Sequence, residues 1–475
     1  MGEQILNNSQ ELQESKNAGL RTQVTELVEN RRFRELKNLL AQQKAADVAL
    51  LLSDLPEDKL PLVFRILPKE LAAEAFVEMD GDAEQVLLDS FTDVELKAIA
   101  DELYADDIVD ILEEMPANVV NRMLRIIPAA QRKDVNELLQ YPPNSAGSIM
   151  TTEYIELKEN QTVEQAFAHI RKCALDSETV YTCYVTDGNR HLIGVVSAVT
   201  LMISDPQAVL SQIMETNVIS AETLDQQEFV ANQIKRYDFL AMPVVDTENR
   251  LVGIVTFDDA MDVLTDEATE DIEKMAAIVP SENDKPYLKT SPFALWKKRI
   301  PWLLLLMISA TFTGSIISSF EATIAATSAG VALLAFVPML MDTGGNAGGQ
   351  SSVTIIRGLA LDEISFSDLF RILWKETRVA VLCGGTLAVC NFVKILLVDR
   401  MLLGNTNITI WVDLVVCLTL VVTVLLAKIV GCTLPLLAKK LGFDPAVMAS
   451  PFITTIVDAL ALLVYFQIAA AVLGV

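Results

Sequence analysis

The chain is poor in histidine, in paired cysteine and in positive charge, and each shortage closes off a class of function. Among 475 residues there are two histidines, His169 and His191, with no second imidazole at ligand spacing. A zinc or copper site built on imidazole is therefore not expected. Six cysteines occur (Cys173, Cys183, Cys383, Cys390, Cys417 and Cys432) without a single CxxC pair, and four lie in apolar segments. They read as buried, reduced packing residues. Basic residues number 37 against 63 acidic, a net charge of −26. A nucleic-acid binder needs a basic surface to displace counterions from phosphate, so that class is excluded. The first residues, Met1-Gly2-Glu3-Gln4-Ile5-Leu6, offer no cationic segment before an apolar core, so no cleaved signal is expected there. Leu6 also departs from the myristoylation pattern.

What is present sorts into two halves. Residues 1–289 carry 53 acidic and 25 basic side chains, whereas residues 290–475 carry 10 and 12 and are strongly apolar. An acidic soluble head is thus joined to a membrane-embedded half. Five stretches, near 300–320, 327–349, 379–399, 408–431 and 447–473, each supply the residues needed to cross about 30 Å of hydrocarbon. Lys297, Lys298, Arg299, Arg357, Arg371, Lys375, Arg378, Lys439 and Lys440 fall in connections on one side, and Arg400, with Glu321 and Asp399, on the other. The positive-inside rule then places the head in the cytoplasm and, with five spans, the C-terminus outside. Lys394 and Lys428 lie inside apolar stretches towards their ends and are expected to snorkel.

In the head, residues 20–140 repeat a leucine-rich phrase closed by proline, as in Leu51-Leu52-Ser53-Asp54-Leu55-Pro56 and Leu124-Arg125-Ile126-Ile127-Pro128. This predicts short stacked helices in a superhelix. Two similar segments follow, about 60 residues apart. One holds Ile149-Met150-Thr151, Cys183–Asp187 and Leu192–Ser197; the other holds Ile213-Met214-Glu215, Met242–Asp246 and Leu251–Thr256. They resemble a tandem pair of CBS domains. The nucleotide motif of that module, Gly-x-x-Ser/Thr-x-x-Asp, is met by Gly253, Thr256 and Asp259, which implies a site for ATP or another adenine nucleotide. The first repeat has Ser197 but then Ala198, Val199 and Thr200, so it lacks the ribose-binding carboxylate.

Two features carry chemistry. After the second repeat, Asp258 to Asp271 packs seven carboxylates into 14 residues without a basic one, and Asp258, Asp262, Asp266 and Glu270 form one i, i+4 row. Like charges at that spacing oppose the helix by about 0.2–0.5 kcal/mol per step, so cations are expected to screen it. Oxygen ligands without imidazole or thiolate suit Mg²⁺ or Ca²⁺. Asp106, Asp107 and Asp110, with Glu113 and Glu114, form a second cluster able to face the first. In the membrane half, Asp458 lies midway in the fifth stretch and Asp342 opens the run Asp342-Thr343-Gly344-Gly345-Asn346-Ala347-Gly348-Gly349-Gln350. An intramembrane aspartate usually faces a pore or partner. The four glycines allow close packing or irregular helix, and the polar residues with free carbonyls suggest an oxygen-lined cation path.

At these residues the chain resembles the MgtE family of magnesium channels, most specifically in Thr343–Gln350, Gly442-Phe443-Asp444-Pro445-Ala446 and Pro451–Asp458. The resemblance implies a multi-domain membrane protein. Its expected parts are an all-α superhelical N-domain (1–140), α+β tandem CBS domains (141–257, repeats 149–205 and 213–257), an acidic plug helix (258–278), a linker (279–296) and a five-helix transmembrane domain (297–475). It implies a homodimer in the plasma membrane lipid bilayer, not an enzyme, carrying Mg²⁺ and closed by cytosolic Mg²⁺. Asp458, Asp342, Gly345, Asn346, Gly348, Ser450, Thr454 and Asp444 would line the pore, Asp458 holding the hydrated ion. Asp106, Asp110, Glu228, Asp238, Asp259, Asp262, Glu267, Glu270 and Asp271 would share regulatory Mg²⁺. The alternatives are a carrier or channel for Co²⁺ or Ca²⁺ and, remotely, an intramembrane aspartyl protease. The Tyr-Asp and Gly-x-Gly-Asp patterns of that protease class surround neither Asp342 nor Asp458.

Overall fold

A computed structural model describes residues 19–473, apart from 176, 281–286, 321–329, 362, 405–407 and 449. Glu321 and the start of the second expected span lie outside the described residues. The chain divides into two units, Met1–Asp266 and Glu267–Val475.

The first unit opens with short helices between Phe33 and Leu138. Proline sets their length. Pro68, Pro116 and Pro128 sit at ψ near 146–149° as the N-caps of Lys69–Val77, Ala117–Ile126 and Ala129–Leu138. One residue thus ends a helix and starts the next in a new direction. Helices two apart in sequence pack together: Ala45–Ser53 on Lys69–Val77, Lys69–Val77 on Asp93–Ala100, and Asp93–Ala100 on Ala117–Ile126. That is the expected superhelix. Phe64, Phe76 and Phe91 meet at its centre, ring centroids 5.4–6.3 Å apart. Outside, Arg65 pairs with Glu95 at 2.7 Å, and the guanidinium together with the Thr92 amide holds that carboxyl down at about 2.

Two three-stranded sheets follow. β1 (Glu156–Lys158) lies parallel to β2 (Thr182–Thr186), which pairs antiparallel with β3 (Leu192–Ser197). β4 (Ala221–Glu222), β5 (Ala241–Val245) and β6 (Leu251–Thr256) repeat that order, and both hairpins shift register near the end of the middle strand. The repeats also exchange their opening segments, which the sequence division at 149–205 and 213–257 does not anticipate. Thr151 of the first exchanges both backbone hydrogen bonds with Ile254 of the second, and Glu215 of the second with Val195 of the first. Gly253 and Gly194 make this possible. A β-carbon would lie 2.6 Å from the sulfur of Met150 at one and of Met214 at the other.

Helix α1 (Phe257–Met275) leaves β6 and carries the acidic row. The second unit contains α2 (Pro292–Ser319), α3 (Gly330–Ala360), α4 (Leu369–Lys394), α5 (Ile410–Leu441) and α6 (Ser450–Leu473). Four described helices are long and apolar enough to span a bilayer: Pro292–Ser319, Phe366–Leu402, Ile410–Leu441 and Pro445–Leu473. The 31-residue α3 is long enough, but its polar run keeps it outside that apolar set. Helix α5 is central and packs on α3, α4 and α6.

Glycine sets the closest approach. A β-carbon at Gly431 of α5 would sit 2.3 Å from the Gly348 carbonyl oxygen of α3, and that backbone atom has no rotamer by which to yield. Gly431→Ala is expected to cost about 1–3 kcal/mol by overpacking. All four tryptophans, Trp296, Trp302, Trp374 and Trp411, belong to the second unit, so fluorescence-monitored unfolding in detergent reads this loss directly.

Two expectations need correction. Cys383 and Cys390 are exposed on α4 rather than buried, because they lie on the face turned away from α5; all six cysteines are free thiols. The glycine run does not loosen the helix either. Residues 330–360 form one continuous α-helix, so the backbone carbonyls of the run 342–350 accept helical hydrogen bonds rather than standing free along a path.

Candidate functional site

In the second unit, the run in α3 has two faces. Gly344 faces Thr423 and Val457, Gly345 faces Thr454, and Gly348 faces Ile453, each within 3.0 Å of where a β-carbon would stand, with the Ala427 carbonyl 3.1 Å from that of Gly348. The glycines therefore bring α3 against α5 and α6. On the other face Asp342, Asn346 and Gln350, spaced four apart, are all exposed. The Asp342 charge acts on the half-buried Asp458 of α6, so two intramembrane carboxylates from different helices lie within electrostatic reach. Thr454, one turn before Asp458, spends its hydroxyl proton on the Pro451 carbonyl at 2.9 Å, leaving its oxygen able to accept. Ser450 begins α6, and its side chain lies outside the described residues.

Asp444 is less available than expected. Its Oδ1 accepts from the Ala446 amide at 2.8 Å, and its Oδ2 meets the Lys274 ammonium at 2.6 Å. Lys274 also pairs with Glu270 at 2.7 Å. Lys274 is the next i+4 member of the row Asp258–Glu270, so the row ends on a cation that already bridges two expected ligands.

The first unit brings together carboxylates from three regions. Asp106 and Asp107 open the helix Ala105–Glu114; Glu153 and Glu178 come from the first repeat; Asp258, Asp259 and Asp262 come from the start of α1. The Asp107 Oδ2 accepts from the Tyr104 amide at 3.3 Å, and Glu153 Oε2 accepts from Thr151, the Thr152 amide and the Thr152 hydroxyl at 2.9–3.0 Å. The Asp106 Oδ1 atom is buried and has no hydrogen-bond partner. Burial, then the charges of Asp107, Asp259, Glu153 and Glu178, pushes the Asp106 carboxyl well up. Burial likewise lifts Asp107 to about 6, against the Tyr104 hydrogen bond, and Glu178 to about 7. It raises Asp259 to about 6, although Thr256 donates to that carboxylate at 2.6 Å. Asp262 is raised by burial and by Asp258.

Among the described residues, no Lys or Arg forms an ion pair with these carboxylates. Among the described residues no three carboxylates, histidines or cysteines form a ready-made metal-ligand set. Mg²⁺ does not require one, since it usually keeps several waters and uses one or two carboxylates. The orphaned Asp106 oxygen and the all-oxygen surroundings fit a hydrated Mg²⁺. Of the other expected ligands, Asp110 is exposed on the same helix as Asp106. Glu228, in the first turn of Gln227–Tyr237, and Asp238, its exposed left-handed C-cap, are not among the charges acting most strongly on Asp106 or Asp259. Glu267 and Asp271 lie on α1 in the part belonging to the second unit. Sequence reasoning missed Glu153 and Glu178 as members of this cluster. The nucleotide-motif residues Gly253 and Thr256 are engaged by Met150 and Asp259 respectively.

Comparison with known proteins follows this division. A family model described as a divalent cation transporter matches residues 337–468, the MgtE intracellular N domain matches 43–144, and the CBS domain matches 146–203 and 210–266. The magnesium transporter MgtE of Thermus thermophilus is 36% identical over 441 residues, covering 92% of this chain and 94% of that protein. The chain belongs to the MgtE family.

MgtE of Bacillus subtilis is 34% identical over 445 residues, covering 94% of this chain and 95% of its own. Among solved structures, the cytosolic domain of the Mg²⁺ channel MgtE in complex with ATP is 34% identical, with a TM-score of 0.49 over 51% of this chain and 99% of its own. This MgtE-family chain is thus a membrane transporter rather than an enzyme, with N-domain, CBS pair and apolar helices in that order.

Proposed function

We propose that this chain is a Mg²⁺-selective channel that takes Mg²⁺ up across the plasma membrane and closes when cytosolic Mg²⁺ rises. The observation carrying this reading is that the charge of Asp342 on α3 reaches Asp458 on α6, with Asp342, Asn346 and Gln350 exposed as one stripe along α3. A polar stripe headed by a carboxylate on an intramembrane helix does not face hydrocarbon; it faces water or another protein surface. A homodimer with α3 and α6 of both copies around a water-filled axis provides that setting. Hydrated Mg²⁺ fits the oxygen-only lining, and family membership at over a third identity supports Mg²⁺ ahead of Co²⁺ or Ca²⁺. The distribution of Lys and Arg supports a cytoplasmic head and an outside C-terminus.

The acidic cluster of the first unit is the sensor in this reading. Asp106, Asp107, Glu178 and Asp259 repel one another, and Mg²⁺ bound among them offsets that repulsion. Helix α1 starts in the cluster and continues past the boundary of the first unit, which makes it the element that passes the change on. At its far end Lys274 already supplies a cation between Glu270 and Asp444, so regulatory Mg²⁺ acts at the Asp259 end. Mg²⁺ shifts the equilibrium only by its preference for the compact state.

The test is inside-out patch recording with Mg²⁺ as charge carrier while cytosolic Mg²⁺ is stepped from micromolar to millimolar. Discrete openings that vanish as Mg²⁺ rises are expected. Silence at every concentration alongside Mg²⁺ flux into vesicles makes the protein a carrier and removes the gated pore.

A further inference from the structure

Lys428 does not snorkel. It is 5% exposed within α5, and its ammonium lies 3.1 Å from the Ser351 hydroxyl of α3 and 3.5 Å from the Glu376 carboxylate of α4. Ser351, itself 2% exposed, donates to the same Glu376 oxygen at 2.8 Å. A cation, a hydroxyl and an anion from three helices therefore close a triangle inside the membrane half. Stability alone is a weak reason for such a group. Burying an ion pair costs about as much as it returns, and apolar residues of similar volume often serve as well or better. Close packing of α3 on α5 is already provided by Gly348 and Gly431. What the triangle adds is position and charge. Ser351 directly follows Gln350, the last residue of the exposed polar stripe.

We infer that Lys428, Ser351 and Glu376 form a charge-compensated clasp that fixes the rotation of α3 about its axis and sets the electrostatic field met by Mg²⁺ beside the stripe. This rests on the pore reading above. These are positioning residues. Without Glu376, a buried ammonium is left uncompensated on the helix behind the stripe and opposes a divalent cation. Without Lys428, a buried carboxylate is left and attracts one. Packing damage has no such dependence on sign.

The experiment is Mg²⁺ uptake by the full chain in proteoliposomes, reading initial rate against Mg²⁺ concentration. Glu376→Gln is expected to raise the half-saturating concentration about tenfold, and Lys428→Met to lower it by about as much, each with a reduced maximal rate. The double variant restores neutrality and is expected within about threefold of the parent in both quantities. Singles that shift half-saturation in the same direction, or leave it fixed while the rate falls, overturn the inference, as does a double variant no better than the worse single. Ser351→Ala changes no charge. It is expected to lower the maximal rate with half-saturation unmoved, and it carries the test if a charged single fails to reconstitute. An unaltered rate for Ser351→Ala overturns the clasp. Asp458→Asn in the same assay keeps the two readings apart: uptake that survives it removes the pore assignment, whatever the clasp variants do.

Discussion

Asp458→Asn is expected to reduce Mg²⁺ flux at least about 100-fold while leaving the protein folded. The size follows from the charge. At an effective dielectric of about 20, a divalent ion held about 5 Å from one carboxylate through its own water gains on the order of 7 kcal/mol. Partial loss of hydration offsets much of this. A remainder of about 3 kcal/mol already exceeds a factor of 100. Asparagine keeps the shape and a carbonyl oxygen, so loss of flux reports charge rather than packing. Asp342 lies on the neighbouring α3 and acts on Asp458. Asp342→Asn is expected to have the smaller effect, because Asp342 is exposed on its helix whereas Asp458 is half-buried and holds its charge in a drier setting. Radiotracer or indicator-dye uptake in proteoliposomes decides it. Full flux through Asp458→Asn removes the pore assignment, and loss only in Asp342→Asn moves the ion site to α3.

How far the sequence leads depends on how local each feature is. The superhelix is legible because Pro68, Pro116 and Pro128 act on their own neighbours, ending one helix and capping the next. The acidic row on α1 is legible for the same reason, since i, i+4 spacing is a property of one segment. Glu153 and Glu178 are not. They come from the first CBS repeat, and only the exchange of opening segments between repeats brings that region beside the start of α1. Lys428 shows the same limit within the membrane. An isolated lysine in an apolar run looks like a snorkelling residue until its partners on α3 and α4 are known. The glycine run is intermediate. Small residues there signal something about the backbone, yet close packing and irregular helix use the same residues, and only the contacts of Gly344, Gly345 and Gly348 decide for packing.

The cluster that sequence only half revealed has a measurable pH signature. Asp107 and Asp259 titrate near 6 and Glu178 near 7 in the folded protein, whereas unfolded carboxyls titrate near 4. The folded state therefore holds protons more tightly than the unfolded one. The stability these groups contribute is full below about pH 4 and is lost as pH rises through 6–7. The groups interact, so their shifts do not add; a total on the order of 3 kcal/mol is reasonable for the whole cluster. Mg²⁺ at 100 times its dissociation constant stabilises a state by about 2.7 kcal/mol, so the cation replaces what protons supply. In the full chain, amide hydrogen exchange of Ala105–Glu114 and of the first turns of α1 is thus expected to be fast at pH 7.5 with chelator. With the intrinsic base-catalysed rate divided out, the protection factor there is expected to rise about 100-fold either at pH 5.5 or on adding Mg²⁺ at pH 7.5. Asp106→Asn combined with Asp259→Asn removes two of the repelling charges, so the protection factor there becomes high and indifferent to both. Exchange that is already slow at pH 7.5 without Mg²⁺ would mean that repulsion in this cluster does not open the head, and the sensor would have to lie elsewhere.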